Sequence, residues 1–185
     1  MTRRSVLSGI SAGLAATFSA ATPAFANAPA ILTGAGDFRS IHIVNNRTRE
    51  WLNTVYWIEG EYIPEAMSAI STLMRDWRAE EVRNIDPRTI DIISAAHSLL
   101  ECNEPFEVVS GYRSPATNAQ LRRRSRGVAK NSYHTRGMAA DLKLKSRSVK
   151  QIAAAGMSLG AGGIGKYSRS QFVHMDSGPV RDWGR

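Results

Sequence analysis

Two histidines and an aspartate in the C-terminal half of the chain have the types and neighbours of metal ligands. His134 and Asp141 lie seven positions apart in NSYHTRGMAADLKL, and His174 follows in FVHMDSG. This spacing does not fit one face of a helix, where neighbouring side chains are three or four residues apart. It fits a loop that carries the histidine into a strand that carries the aspartate, with Gly137 allowing a tight turn. His174 would then approach from a separate strand.

These side chains suit a catalytic zinc site. Two imidazoles and one carboxylate are enough to hold one Zn²⁺ ion and leave a fourth position for water. Zinc lowers the pKa of such a water to near neutrality, so that it can attack an amide carbonyl. Cobalt or manganese could occupy the same ligand set. Taken alone, the pattern makes the three residues candidate ligands and leaves coincidence open.

The remaining histidines and the single cysteine are interpreted as structural. His97 lies in a helical pattern and His42 in a predicted hairpin strand. Cys102 has no basic neighbour in the sequence that would activate its thiol. A single cysteine also excludes an internal disulfide and a cysteine-based metal cluster.

The elements around these residues predict an α+β fold, with a small, mainly antiparallel sheet and two to three packed helices. Residues 38–44 and 49–58 are rich in β-branched and aromatic residues and flank a turn, which is typical of a hairpin. Prolines and helical periodicity predict three helices, which begin at 64, 86 and 148. Further strands are predicted at 106–111, at 139–144 and in a pair that ends at FVHMD, whereas 115–131 is predicted to be a basic loop or helix-loop.

The first 26 residues have the features of an export signal. Arg3 and Arg4 precede a stretch with no charged residue before Asp37, and Ala-Phe-Ala at 24–26 fits the pattern that signal peptidase accepts. The order Thr-Arg-Arg-x-hydrophobic-Leu resembles a twin-arginine signal, although Val6 stands where Phe is more usual. An uncleaved anchor is the alternative, but a stretch rich in Ala, Gly and Ser would span a bilayer poorly.

We therefore expect a signal peptide at 1–26, a linker at 27–37 and one domain at 38–185. The mature protein would be periplasmic, with no stable membrane anchor. The formal net charge of +8 includes two arginines of the signal and no acid from it, so the mature chain carries about +6. Such a charge suits nucleic acid or an acidic polymer of the cell envelope, and export favours the polymer over nucleic acid. The basic run at 121–127 is a solvated helix face, a surface for the phosphates of a nucleic acid or a surface for the carboxylates of an envelope polymer.

Three segments of the chain resemble the zinc D-Ala-D-Ala carboxypeptidase clan, whose metal-site architecture is shared with hedgehog domains. The likeness is greatest to the murein endopeptidase K-like peptidases and covers most of residues 38–183. The motif Ser-x-His-x-x-Gly-x-Ala-x-Asp at 132–141 is specific. The resemblance implies a hedgehog-like fold and zinc binding by His134, Asp141 and His174. The segments that carry it are VVSGYRSPATNAQL, NSYHTRGMAADLKL and GGIGKY…FVHMDSGPVRDW.

The resemblance also suggests residues that contact the substrate. Arg113 matches the family's arginine near the scissile bond, where a guanidinium could hold a substrate carboxylate or the developing oxyanion. It could instead tie a loop to the fold. Ser132 could orient His134, and Tyr112 and Tyr133 could line the cleft or pack elsewhere.

The general base is less clearly marked. Many members of the clan place Glu or Asp three residues before the last histidine ligand, where this chain has Gln171. An amide cannot take a proton from water. Asp176 lies two residues after His174, so both face the same side of a strand. We expect Asp176 to act as the general base; the alternative is that it only supports the ligand.

By resemblance, the predicted function is hydrolysis of crosslinks between peptidoglycan stem peptides, including links between two meso-diaminopimelate residues. The domain at 38–185 would thus be a zinc metallopeptidase, with peptidoglycan stem peptides as its partner. A carboxypeptidase that trims terminal D-Ala is the alternative within the same class. A noncatalytic murein-binding module with a structural zinc is the alternative from another class, and Gln171 keeps it open.

Overall fold

The computed structural model describes residues 37–125 and 127–184. The predicted signal peptide, and the predicted linker apart from Asp37, lie outside the described residues. The strands are β1 (Phe38–Asn45), β2 (Trp51–Ile58), β3 (Glu61–Tyr62), β4 (Phe106–Ser110), β5 (Ala139–Lys143), β6 (Gly163–Tyr167), β7 (Phe172–Asp176) and β8 (Arg181–Trp183). The α-helices are α1 (Pro64–Leu73), α2 (Pro87–Leu99), α3 (Pro115–Arg124) and α4 (Val149–Ser158).

The eight strands form one sheet in the order β3-β2-β1-β4-β5-β7-β6-β8. All neighbouring strands are antiparallel except the pairs β1–β4 and β6–β8. The predicted α+β class with a mainly antiparallel sheet is therefore confirmed. The sheet is wider than predicted, because the short edge strands β3 and β8 have too few residues for a period-two pattern. The fourth helix, α3, occupies the segment predicted as a loop or helix-loop, and Ser114 caps its N-terminus.

The hydrophobic core lies on one face of this sheet. Helix α1 packs on β2, α2 on β1 and β7, and α4 on β6 and β7. Val173 and Met175 of β7 and Leu142 of β5 belong to this core. Because side chains alternate along a strand, the residues between them project from the opposite face. None of the described helices has the length and apolar character that crossing a bilayer requires.

Candidate metal centre

Cross-strand pairing brings two of the three candidate ligands side by side. Asp141 of β5 is the register partner of His174 on β7, and Ser110 of β4 pairs with Asp141 on its other side. Beyond His174, the next partner is Gly165 of β6. Directly opposed residues of antiparallel strands have their Cβ atoms about 5 Å apart. The pairing therefore sets the two ligands next to each other on the face opposite the core.

His134 reaches the same point from a short 3-10 helix at Tyr133–Arg136. Gly137 ends this helix with a φ of 70°. A Cβ atom at Gly137 would lie 2.4 Å from the backbone oxygen of Asn84, so both the conformation and the space require glycine. The seven-residue spacing thus corresponds to a tight turn that enters a strand, as the sequence indicates.

The three candidate ligand atoms form a compact triangle. His134 Nε2 lies 3.1 Å from Asp141 Oδ1 and 3.1 Å from His174 Nδ1, and the latter two atoms are 3.0 Å apart. A tetrahedral zinc ion with bonds near 2.0–2.1 Å separates its ligand atoms by about 3.3 Å. All three side chains are buried. The triangle is therefore close to the geometry that a divalent cation needs.

The outward-facing nitrogen of each imidazole is already bonded. His134 Nδ1–H donates to the carbonyl oxygen of Gly111 at 2.7 Å. His174 Nε2–H donates to Asp176 Oδ2 at 2.8 Å. These bonds assign the tautomers that leave His134 Nε2 and His174 Nδ1 with free lone pairs inside the triangle. Such support of the ligands is typical of protein metal sites.

At His134 and Asp141 the electrostatics favour the protonation states that bind metal. Burial lowers the pKa of His134 to about 4, so that its imidazole is neutral at pH 7. Burial acts to raise the pKa of Asp141, but attraction to His134 and Arg113 outweighs it and holds this pKa well below its usual value. Burial acts to lower the pKa of His174, and its bonds to carboxylates raise it overall. A neutral imidazole and an ionised carboxylate are the states that a metal requires.

Arg113 lies directly beside the triangle. Its Nη2 donates to Asp141 Oδ2 and lies 3.2 Å from His134 Nε2, while Nε–H donates to Ser110 Oγ at 2.7 Å. Asp141 thus offers Oδ1 to the triangle while Arg113 holds Oδ2. The predicted role of Arg113 near the scissile bond stays a prediction. Arg113 also joins two loops, since its backbone N–H donates to the carbonyl oxygen of His134 at 3.2 Å.

Asp176 lies beside His174, as the strand spacing indicates, but behind its ring. Its side chain is fully buried. Arg181 donates to both of its oxygens, at 3.0 and 2.7 Å, and Gly178 N–H donates to Oδ1 at 2.9 Å. Burial acts to raise the pKa of Asp176, but bonds from His174 and Arg181 outweigh it and lower this pKa to about 2. This geometry argues against the predicted general base and favours the alternative, a residue that supports its neighbour.

A cleft of about 410 Å³ opens over the triangle. Ser132 and Tyr133 line it, where they were predicted to contact substrate. Tyr112 is not among the residues that line it: only 3% of this residue is exposed, and its hydroxyl donates to Glu81 at 2.7 Å. The predicted contact of Tyr112 with substrate is therefore not supported. Gln171 is exposed in the turn between β6 and β7, and its amide donates to the carbonyl of Ser168.

Aromatic side chains form one wall of the cleft, and the sequence reasoning did not name Tyr167 or Phe172. Tyr167, Phe172 and Trp183 line it, and the indole of Trp183 lies 5.3 Å from the His174 ring. A Cβ atom on Gly165 would lie 2.5 Å from Trp183 Cε2, so only a residue without a side chain leaves room for the indole there. From the sequence alone, the pair Asp182-Trp183 could either cap the cleft or close the core. The structure places Trp183 in the cleft wall.

The remaining histidines lie away from this site. His97 Nε2 is 2.7 Å from the carbonyl oxygen of Glu104, and the sulfur of Cys102 lies 3.8 Å from the same nitrogen. His42 is half-buried on β1. Among the described residues, His134, Asp141 and His174 form the group of metal-ligating side chains.

Comparison with known proteins gives the family. The profile of the family described as peptidoglycan L,D-endopeptidase MepK matches residues 33–183. The peptidoglycan L,D-endopeptidase MepK of Escherichia coli (strain K12) is 40% identical over 166 residues, which cover 88% of this chain and 86% of that protein. The probable peptidoglycan L,D-endopeptidase MepK of Haemophilus influenzae is 38% identical over 156 residues, which cover 84% of this chain and 79% of that protein. The chain therefore belongs to the MepK family, and the predicted resemblance and enzyme class, a peptidase, are confirmed.

Proposed function

We propose that this protein is an exported, zinc-dependent endopeptidase that hydrolyses crosslinks between stem peptides of peptidoglycan, including those between two meso-diaminopimelate residues. The observation that carries the proposal is the triangle of His134, Asp141 and His174 at the base of an open cleft. Membership of the MepK family supplies the substrate class.

Zinc fits the donor set better than other common divalent ions. Two imidazoles and one carboxylate are ligands that zinc accepts in catalytic sites with an open fourth position. When bound, zinc would polarise the scissile carbonyl and generate a nucleophile from water near neutral pH. The supported imidazole N–H groups of His134 and His174 fit this assignment.

The chain's own residues have distinct roles in this proposal. Arg113 holds Asp141 in place through Nη2, and its Nη1 makes no hydrogen bond to a described residue, so it is free to stabilise the oxyanion. Asp176 holds the Nε2 proton of His174 and thereby positions the ring. Ser132 and Tyr133 orient the peptide in the cleft.

One observation supports a second candidate, a noncatalytic murein-binding module. Asp141 is the sole carboxylate among the described residues that line the cleft, and it is committed to the metal triangle. General-base help typically contributes about 10²–10⁴-fold to a rate. A site without a second carboxylate could therefore bind stem peptides without cutting them.

Digestion of crosslinked murein separates these possibilities. Purified protein is incubated with murein and zinc, or with a chelator, and the fragments are identified by mass spectrometry. Zinc-dependent conversion of dimeric to monomeric muropeptides supports the endopeptidase, and the fragment masses identify the bond. Loss of one alanine indicates a carboxypeptidase. Tight zinc and murein binding without any cleavage would favour the binding module.

Export is part of the same proposal. The substrate lies outside the cytoplasm, and residues 1–26 carry the pattern of a twin-arginine signal. Replacement of Arg3 and Arg4 by lysine is expected to retain the protein in the cytoplasm. Unchanged recovery in the periplasm would contradict this route.

A further inference from the structure

Arg78 is a cation in the wall of the metal cleft that has no acidic partner among the described residues. It belongs to the segment between α1 and α2 and lines the cleft together with Arg113. No ion pair within 4.0 Å joins it to a described carboxylate. Its guanidinium carbon lies 4.2 Å from the ring centroid of Trp77. This stacking occupies the flat face of the guanidinium and leaves its N–H donors available.

The backbone at Arg78 is tied to the loop that carries Arg113. Asp76 is buried and accepts hydrogen bonds from the backbone N–H of Arg78 at 3.1 Å and of Ser114 at 2.9 Å. Ser114 directly follows Arg113 in the chain. One carboxylate therefore ties together the two loops that carry the cleft arginines, and such preorganisation lowers the entropic cost of binding a ligand.

The charge at this end of the cleft is positive. Burial lowers the pKa of Arg78, and the charges of Arg113 and Arg47 lower it further, whereas Asp76 opposes them. Arg113 and Arg181 are each paired with a buried carboxylate. Arg78 is thus the cleft arginine that, within the described part of the chain, has no carboxylate partner of its own.

We propose that Arg78 binds the free carboxylate that the substrate carries next to the scissile bond. This inference rests on the proposed function. Each amino-acid centre of diaminopimelate bears an amine and a carboxyl group on one carbon. The centre whose nitrogen is acylated in a crosslink therefore keeps a carboxylate one carbon from the scissile nitrogen. Arginine binds carboxylate through two parallel hydrogen bonds, so Arg78 both positions this substrate and selects for its charge.

The test compares two substrates and two proteins. The substrates are a crosslinked dimer of two meso-diaminopimelate stem peptides with that carboxyl group free, and the same dimer with it converted to the neutral amide. For the full-length wild-type protein, the amide is expected to lower kcat/KM about ten- to one-hundredfold, mainly through KM. With the free-carboxylate dimer, Arg78→Gln is expected to lower kcat/KM by the same factor relative to the wild type. With the amide dimer, the variant and the wild type are expected to have nearly the same kcat/KM, because the amide has already removed the interaction that Arg78 makes.

The control is Arg88→Gln, which removes one exposed positive charge at the start of α2, outside the cleft. It is expected to keep the wild-type preference for the free carboxylate. Equal cleavage of both substrates by the wild type would overturn the inference, and so would an undiminished preference in Arg78→Gln. The wild-type comparison decides the matter even if the variant does not fold. Failure of the wild type to cleave either dimer would contradict the proposed function itself, which is a separate result.

Discussion

The carboxylate of Asp176 accepts the Nε2 proton of His174 at 2.8 Å, while Nδ1 of the same ring lies 3.0 Å from Asp141. The two nitrogens of one imidazole therefore serve opposite sides of the site. Asp176 fixes the tautomer and orientation of the ring, and Arg181 fixes Asp176 in turn. Asp176 is not among the described residues that line the cleft, so we propose that it acts through His174.

Asp176→Asn is expected to weaken zinc binding about 10- to 100-fold, since loss of a ligand's supporting partner typically has that effect. Activity should then return when zinc is raised to saturation. Zinc affinity is measured with a chelator competition, and activity is measured across the same zinc range. Asp182→Asn, which changes an exposed carboxylate on β8, is the matched control. A loss of about 10²–10⁴-fold that persists at saturating zinc would instead identify Asp176 as the general base.

Arg113→Lys is expected to lower kcat by about 10²–10³-fold while one zinc ion per chain is retained. Lysine keeps the charge but cannot hold Ser110 and Asp141 while stabilising an oxyanion, because it lacks the planar fork. Steady-state kinetics and metal analysis measure the two effects. Arg122→Lys, on the exposed side of α3, should behave as wild type. If Arg113 only ties its loop to the fold, the melting temperature will fall and kcat will not.

Gly165→Ala is expected to destabilise the protein by about 1–3 kcal/mol, as overpacking of a filled site typically does. The added Cβ would lie 2.5 Å from Trp183 Cε2 and push the indole away from His174. Thermal unfolding measures the stability, and KM reports the disturbed wall of the cleft. Truncation of Trp183 to Ala in the Gly165→Ala background should relieve the crowding. An unchanged melting temperature in the single variant would show that the indole does not lie against Gly165.

Because of Asp76, the free energy of unfolding is expected to depend on pH in the acidic range. Burial acts to raise its pKa, but hydrogen bonds from Thr117, Ser114 and Arg78 outweigh it and lower this pKa below the model-peptide value of 3.8. Because the pKa of Asp76 is lower in the folded state than in the unfolded state, this carboxylate stabilises the fold. Its contribution to the free energy of unfolding is complete above pH 3.8 and is lost as the pH falls through the pKa of Asp76 in the folded state. Asp76→Asn should therefore cost about 1–3 kcal/mol at pH 7 and less near pH 3. Equal losses at both pH values, measured by urea unfolding, would contradict the lowered pKa.

The sequence predicts the local geometry of the site well because that geometry is encoded locally. The glycine at 137 and the alternation of β5 predict a tight turn that places His134 and Asp141 together. Prolines and capping residues similarly predict the starts of three helices. These features depend on residues a few positions apart, where steric rules are strong.

Tertiary contacts decide what the sequence leaves open. Alternation along β7 places Asp176 on the same side of the strand as His174. Its carboxylate nevertheless lies behind the imidazole ring, where Arg181 of β8 donates to it. Tyr112 follows a register irregularity in β4, and its backbone N–H donates to Met74 at 2.8 Å, which directs the residue into the core. Neither contact has a signature in the spacing of residues. The wall formed by Trp183 depends on a parallel pairing of two short strands and is equally hidden.

The most direct test of the account is to strip the protein of metal and add zinc back in steps while hydrolysis of crosslinked muropeptide dimers is followed. We expect activity to rise linearly and to reach its plateau at one zinc ion per chain, and His134→Ala to show neither tight zinc binding nor activity. Full activity in the metal-free protein, or in His134→Ala, would contradict a zinc centre formed by His134, Asp141 and His174.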